Sequence, residues 1–141
     1  MAILRDIVAN NTYVEFLFLS CIPGEDEGCQ LAFTYCRDNH VVYELAFGWT
    51  NLTIKNYIEV TSKFPLEALN DFILNNLYTS FEKHLYGLEW TGLEERNTYG
   101  IRFSGAHQDF SLKVTDAAVQ QFGRELEAEW REGQQMTLNF A

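Results

Sequence analysis

Cys29-Gln30-Leu31-Ala32-Phe33-Thr34-Tyr35-Cys36-Arg37-Asp38-Asn39-His40-Val41-Val42-Tyr43-Glu44-Leu45-Ala46-Phe47 carries the alternation that decides the fold. Cys29, Leu31, Phe33 and Tyr35 fall on one face of an extended chain, and Gln30, Ala32 and Thr34 on the other. After the Arg37-Asp38-Asn39 link the pattern resumes, with Val41, Tyr43, Leu45 and Phe47 opposed to His40, Glu44 and Ala46. A period of two on both sides of a short Asp/Asn link predicts an antiparallel hairpin, because Asp and Asn tolerate turn geometry.

Working outward, residues 13–21 are apolar on both faces apart from Glu15, which predicts a central strand. Residues 52–61 are read as a further strand, with Leu52, Ile54, Ile58 and Val60 inward and Thr53, Lys55, Tyr57 and Glu59 outward. These four strands make an antiparallel meander. The period then changes. From Pro65, Leu66, Leu69, Ile73, Leu77, Phe81 and Leu85 recur at three and four, which predicts a helix over 65–85. Pro65 suits its first position, and Gly87 its left-handed cap.

Strand character returns at 88–94, 99–105 and 109–115, the last two joined through Gly105-Ala106-His107-Gln108. Thr115 or Asp116 caps a second helix over 117–132, whose apolar stripe is Val119, Phe122, Leu126 and Trp130. Gly133 ends it, and Met136, Leu138 and Phe140 alternate as a short terminal strand. Strands and helices without a regular βαβ alternation predict an α+β fold. The expectation is one antiparallel sheet, meander plus hairpin, with two helices packed on one face and a half-polar second face. With only two prolines and no Ser/Gly-rich linker, residues 1–141 read as a single domain.

Charge narrows the function. Twenty acidic side chains face ten basic ones, for a net charge of -10. Such a surface repels phosphate backbones and anionic lipid, and attracts basic proteins. Direct nucleic-acid and membrane binding are not expected, and no apolar run approaches the ~20 residues of a membrane-spanning helix. The opening Met-Ala-Ile-Leu-Arg-Asp-Ile-Val is too short and too early-charged for a signal peptide, so the chain reads as cytoplasmic. Cys21, Cys29 and Cys36 match no zinc spacing. Cys21 and Cys29 flank the turn at 22–28, where a disulfide is conceivable; the compartment favours reduced, partly buried thiols.

The residues offer no catalytic constellation, and the expectation is a protein that is not an enzyme and carries no cofactor or metal. His40, His84 and His107 are scattered, with no i,i+4 pair for a metal. Gly24 and Gly28 bracket an acidic turn that would repel phosphate. Glu25-Asp26-Glu27 and Glu94-Glu95 are solvated loop clusters, better suited to steering a basic partner than to acid/base work. Trp49, at the end of its strand, is the aromatic contact candidate, since Trp, Tyr and Arg anchor interfaces. The expected partner-binding set is therefore Glu25, Asp26, Glu27, Trp49, Glu94 and Glu95.

Phe64-Pro65-Leu66-Glu67-Ala68-Leu69-Asn70-Asp71-Phe72, following the meander, resembles the helix entry of WapI-type bacterial immunity proteins. Gly87-Leu88-Glu89-Trp90-Thr91-Gly92-Leu93-Glu94-Glu95 and Tyr99-Gly100-Ile101-Arg102-Phe103 resemble that family's second group of strands, and Thr115-Asp116 the start of its C-terminal helix. The resemblance spans roughly residues 13–132 and implies a non-enzymatic immunity or antitoxin-like inhibitor of a cognate basic toxin, a nuclease being one candidate. It transfers no contact residues. Two other readings stay open: a phage-encoded anti-defence inhibitor or nucleic-acid mimic, and a sheet-based binder of a small ligand.

Overall fold

The computed structural model describes residues 1–64, 87–105 and 108–140. Its first sheet is an antiparallel meander of β1 (Ala2–Arg5), β2 (Tyr13–Cys21), β3 (Gly28–Arg37) and β4 (His40–Thr50), in that spatial order. The helix α1 (Asn51–Ser62) follows β4 directly. A second antiparallel sheet orders β5 (Gly87–Gly92), β6 (Thr98–Gly105) and β7 (Gln108–Thr115), and α2 (Asp116–Phe140) completes the described chain. The α+β class is as expected, but the strands divide between two sheets rather than one.

The β3–β4 hairpin turns where its sequence demands. Arg37 pairs with His40, and both residues between them have positive φ, 53° at Asp38 and 64° at Asn39. That is the backbone of a mirror-image two-residue turn, whose twist matches the strands it joins. Cys29, Leu31, Phe33 and Tyr35 are all buried, as their alternation predicts. β2 is an interior strand of its sheet, yet Leu17 and Leu19 are exposed on its outer side.

Three expectations are corrected. Residues 52–61 lie in α1, not in a strand. Thr50 caps that helix, its Oγ1 accepting from the Thr53 amide at 3.2 Å. The buried set includes Ile54, Tyr57, Ile58 and Thr61, spaced at three and four, whereas Leu52 points to solvent. β-branched residues favour strands only where a sheet surface receives them, and here side-chain packing overrides that preference. Residues 136–140 likewise continue α2 instead of forming a terminal strand. Gly133 does not stop α2: a Cβ there would lie 2.7 Å from Cys21 Sγ, so the missing side chain permits close approach of helix to strand. The helix expected at 65–85 lies outside the described residues.

Residues from both described helices enter the buried cluster. Phe16 of β2 packs edge-on to Phe33 at 5.1 Å between ring centroids and to Phe122 of α2 at 5.5 Å. Trp49 lies 5.0 Å from the Tyr57 ring of α1. α1 and α2 meet closely at Gly123, where a Cβ would fall 2.5 Å from the Ser62 amide nitrogen. Asp6 ties the first sheet to the second: its Oδ2 accepts from the Lys113 amide of β7 at 3.0 Å. Among the described residues no helix is long and apolar enough to cross a membrane.

Candidate protein-binding site at the acidic turn

The chain leaves β2 at Cys21 and re-enters β3 at Gly28, and the acidic residues Glu25, Asp26 and Glu27 occupy the exposed tip between them. Backbone bonds close the turn, Ile22 N–H to Gly28 O at 3.0 Å and Glu27 N–H to Gly24 O at 3.3 Å. The decisive fastening comes from Asn51, the first residue of α1. Its Nδ2 donates to the carbonyls of Ile22 and Gly24, each at 2.9 Å. Its Oδ1 accepts from Trp130 Nε1 at 3.0 Å and from Gln134 Nε2 at 3.1 Å. The Asn51 amide N–H donates to Glu27 O at 2.8 Å. One buried carboxamide thus joins the turn to both helices, with its donors and its acceptor all engaged.

Beside this joint lies a cavity of about 560 Å³, lined by Gly24, Glu25, Asp26, Asn51, Leu52, Lys55, Trp130 and Gln134. Glu25 and Asp26 give it a negative edge, Lys55 one cation, and Leu52 and Trp130 apolar surface. Trp130 is only partly buried, packing against the core while its indole N–H holds Asn51. A concave site that mixes aromatic surface with placed charge suits a basic side chain, since ring face and carboxylate both attract cations.

The remaining candidates part company here. Glu94 and Glu95 are exposed on the β5–β6 turn, and neither lines this cavity. Glu95 Oε1 faces Lys113 Nζ at 3.4 Å. The expectation for Trp49 is corrected: it is 2% exposed, opposite Cys29 on the inward face of β4, and belongs to the core. A strand-terminal Trp looks available in sequence; the sheet's register turns this one inward. Asn51, Trp130 and Gln134 are the site residues that sequence reasoning missed in this role. The periodicity of α2 assigned Trp130 to the helix's apolar stripe, and no signal marked Asn51 or Gln134.

Under the turn sit two thiols. Cys21 and Cys29 face one another across β2 and β3, both buried, with Cys29 Sγ donating to Cys21 Sγ at 2.7 Å. That hydrogen bond holds the Cys21 thiol below its usual pKa, whereas the same bond and burial push the Cys29 thiol up. Cys29 Sγ also meets Asn51 Oδ1 and Gln134 Nε2, each at 3.8 Å. All three cysteines are buried thiols, the reduced state that the sequence favoured. Among the described residues no group of three or more His, Cys, Asp and Glu side chains is placed to hold a metal. The chain matches no protein-family model, no curated protein and no solved structure.

Proposed function

We propose that this chain is a non-catalytic inhibitor, of the immunity or antitoxin kind, that binds a basic protein through the acidic turn at 22–28. The observation that carries the reading is the seating of Glu25 and Asp26 on the edge of a 560 Å³ cavity that includes Trp130, with Asn51 fastening the turn beneath. Charges on a fastened turn lose little entropy on binding, and a neighbouring aromatic concavity supplies the desolvated contact that charge alone lacks. The net charge of -10 adds long-range attraction for a basic partner. The resemblance to WapI-type immunity proteins agrees with this class of function and suggests a bacterial toxin as the partner.

The test is capture from the source cell with the intact chain and with a Glu25→Lys, Asp26→Lys, Glu27→Lys variant, followed by binding kinetics on the protein retained. A basic protein held by the first and lost by the second is the expected result. Equal retention by both would remove the acidic turn from the interface.

A second reading has one observation in its favour. The cavity volume falls within the ~300–1,000 Å³ typical of small-molecule sites. A small cationic ligand that raises Tm without any protein partner would favour it.

A further inference from the structure

Cys21 and Cys29 are placed opposite one another by an irregularity in β2. Val14 and Phe16 face inward on even positions, and an unbroken strand would send Cys21 outward. The register slips between Phe18 and Ser20, which reverses the alternation and brings Cys21 to the buried face, level with Cys29. The Ile22 N–H to Gly28 O bond marks the next pair as hydrogen-bonded, so Cys21 and Cys29 form a non-hydrogen-bonded pair. In such pairs the Cα atoms lie ~4.5 Å apart, inside the range a disulfide spans. Asn51 and Gln134 contact Cys29 Sγ and also line the cavity, so a single layer of side chains separates the thiol pair from it.

We propose that Cys21 and Cys29 form a reversible dithiol–disulfide pair, a modification site for hydrogen peroxide at the root of the acidic turn. Cys21 is the nucleophile, because the Cys29 S–H stabilises its thiolate. Its sulfur attacks one peroxide oxygen; the S–O bond forms, the O–O bond breaks, and the departing hydroxide takes a proton to become water. Cys29 then loses its proton and attacks the sulfenic sulfur; the S–S bond forms, the S–O bond breaks, and a second water leaves. Two thiols give up two electrons, and one peroxide becomes two waters. The third thiol, Cys36, takes no part.

The test exposes the reduced, folded chain to equimolar hydrogen peroxide, then counts thiols by alkylation after denaturation. The expected result is a fall from three alkylated cysteines to one, with a Cys21–Cys29 peptide link that dithiothreitol reverses. Cys36→Ser should lose both of its thiols under the same dose. A chain oxidised while unfolded should instead yield mixed pairings. Three thiols surviving in the folded chain, a link through Cys36, or oxygen added without a link would each overturn the proposal.

Discussion

Two acidic turns of similar composition have different structural support. Glu25, Asp26 and Glu27 ride on a turn stitched by Asn51 to both described helices, beside a cavity. Glu94 and Glu95 occupy a turn closed by backbone bonds, Leu93 N–H to Thr98 O at 2.9 Å and Thr98 N–H to Glu95 O at 3.2 Å, with Lys113 near one carboxylate. Charge in the first is backed by a carboxamide network; charge in the second is an exposed pair screened by water. A net charge cannot distinguish these. What distinguishes them is that a side chain from another element, Asn51, holds the carbonyls of the first turn, whereas the side-chain bond in the second, Thr98 Oγ1 to Arg96 O at 3.3 Å, is local.

The largest effect belongs to the foundation of the first turn. Trp49→Ala removes a buried ring from the aromatic cluster and should cost about 3–5 kcal/mol by denaturant unfolding. Partner dissociation should be unchanged in the molecules that stay folded, because Trp49 has no exposed surface to offer; a faster off-rate at intact stability would return it to the interface.

Asn51→Asp keeps the shape but turns an oxygen toward the Ile22 and Gly24 carbonyls that Nδ2 now serves. A loss of about 2–3 kcal/mol is expected, together with faster amide exchange at residues 22–28 and no change at 93–98. Equal changes in both turns would erase the contrast.

Charge reversal sharpens it further. Lysine at Glu25, Asp26 and Glu27 should slow partner association roughly tenfold or more at low salt, and less at high salt, where screening shortens the reach of each charge. Lysine at Glu94 and Glu95 should slow it only to the degree set by net charge. Identical slowing per charge would mean that the first turn is not the contact.

The smallest effect is expected at the second turn. Lys113→Ala removes the partner of an exposed carboxylate and should shift stability by no more than about 0.5 kcal/mol. A larger loss would show that the Lys113–Glu95 pair fastens its turn after all.

Much of the hairpin architecture was legible because its signals are local. The alternation of 29–47 set inward and outward faces, Asp38-Asn39 supplied the positive-φ turn, and the stripe Val119, Phe122, Leu126 set the inward face of α2. The site was legible only in part. Glu25, Asp26 and Glu27 stood out as a cluster of charge, but Asn51 is one asparagine among several until the fold sets it beneath the turn. The 51–62 segment misled because Ile54, Ile58 and Val60 carry strand propensity and alternate with a period of two, while Ile54, Tyr57, Ile58 and Thr61 also fall on one helix face.

The sequence by itself determined the α+β class, the antiparallel hairpins, the start of α2 and the acidic excess, since each follows from neighbours in the chain. Tertiary structure alone decided the rest. It divided the strands into two sheets, buried Trp49, slipped β2 by one residue to set Cys21 against Cys29, and used Gly133 as a place of contact rather than an end. These outcomes depend on which surfaces meet across the molecule. Packing between distant segments outweighs propensities that differ by less than about 1 kcal/mol per residue.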